Sequence, residues 1–197
     1  MTAGAELFDI AATASAEELH AAYCAWRGAP IFDRAGVSLP LHALYRGRRG
    51  NALCLLADGY PAGVHELAAL DRAAELDRLL AAAPWSVHLL SADGWSCLHL
   101  AAFFDAVAAV AVLTGHGARG DLWSRAFEAN LPLHAACAGA ATSLDLLAAV
   151  AAVTPDIDAV QAGGHSPLTI ARGAGKAAWV DWLAARGADP ARLPPGP

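Results

Sequence analysis

The sequence predicts an all-α fold assembled from tandem repeats, and three observations predict it. The first is a recurring string. Ser96-Cys-Leu-His-Leu-Ala-Ala102 follows the turn signal Asp93-Gly94, Leu131-Pro-Leu-His-Ala-Ala136 comes next, and Ser166-Pro-Leu-Thr-Ile-Ala171 follows Gly163-Gly164. His134 lies 35 residues after His99, and Thr169 lies 35 after His134, a spacing of the size that marks repeat arrays. The second is that paired short segments carry apolar residues at helical spacing along the chain. The third is composition. Hydrophobic residues make up 56% and charged residues 16%, and the excess is largely alanine, the best helix former and small enough for close helix packing.

Taken in order, Glu6 to Gly28 reads as helix, turn, helix: Leu7, Ile10 and Ala11 share one spacing, and Leu19, Ala22 and Tyr23 another. Ser15 and Glu18 form a candidate capping box for the second helix. In Asp33 to Gly59, Gly36 supplies a turn, Ser38 a helix cap, and Gly47 the turn between two helices. Pro40 falls in a first helical turn, where its missing N–H is no loss. Gly63 to Pro84 carries two amphipathic patterns that meet near Asp71-Arg72. Ser91 to Asp121 is the clearest unit, with Val107, Val110, Val112 and Leu113 on its second helix. In Leu122 to Val153 two residues are inserted, most simply around Trp123 to Ala126, and Ala162 to Pro190 holds the last unit. The Pro-rich end, Arg192 to Pro197, reads as disordered.

The Ser-x-Leu-His-x-Ala-Ala string behind a glycine turn, with Gly117-Ala118-Arg119-Gly120-Asp121 closing its unit, resembles the ankyrin-repeat family, whose motif is T-P-L-H-x-A. The resemblance covers residues 5–190 as six units, 5–32, 33–60, 61–90, 91–121, 122–161 and 162–190, with 191–197 as a tail. Its motifs are strong in the last three units; the third rests on helix pattern, and the second has Pro40 and Leu41 where the motif has Leu and His. It implies a solenoid of stacked helix-turn-helix units with β-turn loops along one edge and polar end units. It also implies a concave face that binds a protein partner, without catalysis or cofactor. The matching open positions include Tyr45, Arg46, Trp95, Phe103, Phe104, Phe127, Glu128 and His165. Aromatic residues and arginine are the usual interface anchors. On this reading the aromatics are exposed for a partner; the alternative is that they pack against one another. The resemblance also places His99 and His134 where a histidine bonds turn backbone between repeats.

Other function classes fit less well. The net charge is −6, with Lys176 the single lysine and no basic stripe, which argues against nucleic acid as partner. Cys97–Gly115 and Ala135–Val153 are nearly all apolar, but Asp105 and Asp145 interrupt them, and a charge in mid-span argues against a membrane segment. The four cysteines lie far apart without a CxxC pair, and the start shows no apolar signal segment; a cytoplasmic protein with reduced thiols is expected. No metal ligands and no catalytic residues are assigned. Ser96, His99 and Asp93 are better read as a helix cap than a triad. Gly115 to Gly120 matches GxGxxG but follows a helix, and Gly173-Ala-Gly-Lys176 lacks the rest of a phosphate loop. Arg46-Gly47-Arg48-Arg49 is the one basic cluster, either a clamp for an acidic group or a solvated turn. Cys97 and Cys137 read as packing residues.

A second functional reading stands beside protein binding. The aromatic concavity could hold an apolar small molecule and shape a reactive chain for cofactor-free cyclisation or isomerisation. A third, end-to-end stacking of copies, is disfavoured by the acidic N-terminal edge at Glu17 and Glu18, so a monomer is expected.

Overall fold

The computed structural model describes residues 3–26, 29–189 and 191. The Pro-rich end from Arg192 onward, expected to be disordered, lies outside them, as do Arg27, Gly28 and Pro190. Among the described residues the chain is all-α, with 57% of it helical and no strand. Twelve α-helices form six consecutive pairs: α1 (Ala3–Thr13) with α2 (Ala16–Trp26), α3 (Leu39–Tyr45) with α4 (Arg49–Ala57), α5 (Val64–Ala69) with α6 (Ala73–Ala82), α7 (Cys97–Phe103) with α8 (Val107–Gly115), α9 (Pro132–Ala138) with α10 (Leu144–Ala152), and α11 (Pro167–Gly173) with α12 (Ala177–Ala184). No described helix is long and apolar enough to cross a membrane.

Local chemistry sets these boundaries. Ser15 and Glu18 close the capping box at the start of α2: the Glu18 carboxylate accepts from Ser15 N–H at 2.9 Å, and Ser15 Oγ accepts from Glu18 N–H at 3.3 Å. Ser38, Ser96, Ser143 and Ser166 each cap the following helix through the side-chain oxygen. Pro40, Pro132 and Pro167 occupy first turns, where no intrahelical bond is lost. The tight turns between paired helices pass through left-handed residues at Gly47, Asp71, Asp105 and Gly175.

The chain divides into two compact units, Met1–Glu66 and Leu67–Pro197. In the first, α1 packs on α2 and α3, and α4 packs on α2 and α3, around Leu7, Leu19, Leu39, Leu44 and Leu55. In the second, the first helices α7, α9 and α11 pack in one row, and the second helices α6, α8, α10 and α12 in another. Ala101, Ala102, Ala135 and Ala136 are fully buried in the first row; their small side chains let those helices approach closely. Leu76, Leu98, Leu113, Leu133, Leu146 and Leu168, one from each of α6 to α11, are buried.

The loop before α9 is two residues longer than those before α7 and α11, as the inserted pair around Trp123 predicts. A second inserted pair lies in the α9–α10 linker, residues 139–143, and accounts for the 35-residue step to Thr169.

Basic side chains at the starts of second helices close the ends of neighbouring first helices. Arg48 donates to the carbonyls of Ala12 and Thr13 at the end of α1. Lys176 Nζ donates to Ala136 O and Gly139 O at the end of α9, both at 2.9 Å. Orphan carbonyls at a helix C-terminus favour cations.

Candidate functional site

Two buried histidines position the turns of the second unit. His99 Nε2 lies 2.9 Å from Asn130 O, and Ser96 N–H donates to His99 Nδ1 at 3.3 Å. His134 repeats the arrangement: Nε2 is 2.9 Å from Ala159 O, and Nδ1 accepts from Leu131 N–H at 3.1 Å. A carbonyl can only accept, so the proton of each neutral ring sits on Nε2. Burial pushes both histidines down to about 4, against the opposing pull of the carbonyls they bond. The expectation that both bond the next turn's backbone holds.

Each histidine thereby ties its own helix to the loop that follows. The loop at 124–130 is closed on itself by Ser124 N–H to Asn130 O at 2.8 Å and Asn130 N–H to Ser124 Oγ at 3.0 Å. Its flanks bond the neighbouring turns: Arg125 N–H donates to Gly94 O at 2.9 Å, and Ala162 N–H donates to Glu128 O at 3.0 Å. Three successive turn tips therefore lie side by side along one edge of the second unit. Gly94 is required there. Its φ is +89°, and a Cβ would stand 2.8 Å from Ala126 N.

The predicted site residues fall into three groups. Trp95, Phe103 and Phe104 are half-buried and lean on one another, Trp95 to Phe103 at 5.4 Å and Phe103 to Phe104 at 5.0 Å between ring centres, both edge-to-face. Trp95 also lies 5.7 Å from His99. These three rings neither stand open nor disappear into the core, so the open and packed readings each describe part of them. Phe127, Glu128 and His165 are exposed on the edge of turn tips, and Phe127 is completely so, at 101% of its reference area. Tyr45 and Arg46 belong to the first unit, where both are exposed at the end of α3.

The other motifs have structural partners. Ser96 and His99 are buried, with Ser96 Oγ 2.7 Å from His99 Nδ1 inside the capping box of α7. Asp93 is bonded by Ser91 instead. Leu131, in the equivalent position, has no side-chain oxygen, so His134 makes only the reverse half of that box. The run Gly115 to Gly120 leaves the end of α8, and Lys176 is committed to the end of α9. Arg48 is likewise committed to α1, which takes it out of the basic cluster read as either a clamp for an acidic group or a solvated turn. Cys97 and Cys137 are fully buried, and burial pushes the Cys137 thiol up to about 12.

Two features were missed in the sequence, both in the first unit. Phe8, Trp26, Ile31, Phe32 and His42 line an open groove of about 590 Å³, with Phe8 and His42 edge-to-face at 5.0 Å. His20, Cys24 and Asp58 bring their ligating atoms within 4.8 Å of one another. The available signal was a pair of i, i+4 spacings, His20 with Cys24 and Cys54 with Asp58, but nothing in the sequence says that the two helices face each other.

No family model matches the chain, and no curated protein matches it either.

Proposed function

We propose that the chain is an ankyrin-type repeat protein of six units, a cytosolic monomer that binds a protein partner and performs no chemistry of its own. The reading is supported by the paired helices, by the 33- to 35-residue spacing of Glu66, His99, His134 and Thr169, and by the histidine bonds between successive turns. One observation carries the binding function. The turn tips of the second unit are held in a row by backbone bonds, and that row presents the fully exposed Phe127. A phenylalanine left in water forgoes roughly 1.5–3 kcal/mol of burial free energy, and a partner that covers it recovers that energy. Trp95, Phe103 and Phe104 add partly exposed rings in the same unit, and Glu128 and His165 add polar selectivity. Tyr45 and Arg46 offer a second, smaller contact in the first unit.

The test is capture of partners from source-cell lysate by the wild type and by a Trp95→Ala, Phe127→Ala variant, with circular dichroism showing that both are folded. A partner held by these anchors loses about 2 kcal/mol or more, a weakening of roughly 30-fold. A partner retained equally by both proteins refutes the assignment of this surface.

A small-molecule reading is favoured by a different place from the one expected. The groove at Phe8, Trp26 and Phe32 has a volume within the range of ligand sites. An apolar molecule that co-purifies with the chain and is lost on Phe8→Ala would favour it.

A further inference from the structure

The first unit holds a set of metal-ligating side chains that plays no part in the aromatic surface. His20 and Cys24 lie one turn apart on α2, so they project from one face. α2 packs on α4, and Asp58 is the residue that caps the C-terminus of α4. His20 Nδ1 is 2.7 Å from Asp58 Oδ1 and 3.8 Å from Cys24 Sγ. Tetrahedral zinc, with bonds of about 2.0–2.3 Å, holds its donors about 3.3–3.8 Å apart. The His20–Cys24 separation already matches that spacing, and all three ligating atoms lie within 4.8 Å of one another. His20 and Cys24 are exposed, so the His20–Asp58 separation can widen by the small amount required.

The setting of Asp58 is a second argument. Its side chain is only 11% exposed and sits at the negative end of a helix, where a carboxylate is disfavoured. Among the described residues its ion-pair partner is His20, not an arginine or lysine. Cys54, one turn earlier on α4, lies with Sγ 3.4 Å from Asp58 Oδ2 and orients the carboxylate. The chain supplies its own contrast. His116 and Asp77 are also 2.7 Å apart, but Asp77 is 60% exposed, and no cysteine joins that pair among the described residues.

We propose that His20, Cys24 and Asp58 form a zinc site that bridges α2 and α4, with solvent in the fourth position. One thiolate, one imidazole and one carboxylate suit zinc; the sulfur ligand disfavours magnesium and calcium.

The test uses the full chain without an affinity tag, kept reduced, titrated with Co(II) and then Zn(II). The expected result is one equivalent of Co(II) bound with a near-ultraviolet thiolate-to-metal charge-transfer band and tetrahedral visible bands, both displaced by Zn(II). Cys24→Ser abolishes the charge-transfer band, and His20→Gln weakens zinc binding by more than the roughly 10–100-fold that loss of an outer-shell partner costs. His116→Gln leaves both signals unchanged. Circular dichroism checks that each variant is folded; the replaced residues are surface-exposed or half-buried, so folding is expected to persist. An octahedral Co(II) spectrum in the wild type, zinc affinity indifferent to Cys24→Ser, or a band that survives Cys24→Ser and vanishes in Cys54→Ser would each overturn the assignment.

Discussion

His99 and His134 show how a buried residue makes stability depend on pH. Burial lowers each from an ordinary value of 6.5 to about 4. Between those values the unfolded chain takes up protons that the folded rings refuse. The contribution of each histidine is therefore complete above pH 6.5, declines as pH falls through the window, and is lost below about 4. A shift of this size is worth up to roughly 3 kcal/mol per ring, and the charge of His134 adds to the lowering at His99. Urea unfolding followed from pH 7.5 to 4 should show the midpoint falling steeply below 6.5; a flat profile would contradict the assignment. Phe127 is the opposite case, a large apolar side chain that contributes nothing to folding in its exposed position. Its replacement by alanine should leave the urea midpoint unchanged while weakening partner capture.

At the scale of elements, close approach sets what the turns tolerate. Gly139 ends α9 with an ordinary negative φ of −78°, yet a Cβ there would stand 2.2 Å from Phe103 O. The same carbonyl accepts the N–H of Ala140 at 2.9 Å, so the α9–α10 linker is held against the end of α7. Gly139→Ala must displace backbone and is expected to destabilise by roughly 1–3 kcal/mol. Gly115 is the useful contrast. It lies at the end of α8, and a methyl group added there would meet nothing within 4 Å. Gly115→Ala should therefore stabilise by up to about 0.5–1 kcal/mol. Paired urea titrations, with the denaturant slope unchanged in both, separate the two effects. The capping histidines and serines explain why such short helices persist: several have only six or seven residues, too few to be stable without caps and neighbours.

For the whole molecule, the expected state is a monomer. The formal charge of −6 and the exposed Glu17 and Glu18 on α2 oppose end-to-end association of copies. Light scattering coupled to size-exclusion chromatography should give the monomer mass across a wide concentration range; filaments or a rising mass would restore the stacking reading. How much was legible in the sequence follows from the range of each interaction. Ser38, Ser96 and Ser166 cap helices through bonds that span three residues, and Gly47 and Gly175 form turns within a few more, so the sequence alone determined the all-α class and the helix pairs. The helix pair α5 and α6 was legible from the two amphipathic patterns of Gly63 to Pro84 even without the His motif. Which side chains meet across helices depends on packing between segments some 30 to 40 residues apart, and no local pattern encodes it. Tertiary structure therefore decided that Trp95, Phe103 and Phe104 lean together while Phe127 stands free, and that Arg48 and Lys176 serve helix ends. It also brought Asp58 to His20 and Cys24, because the face that α2 presents to α4 is set by the burial of Leu19 and Leu55, not by the spacing of the ligands themselves.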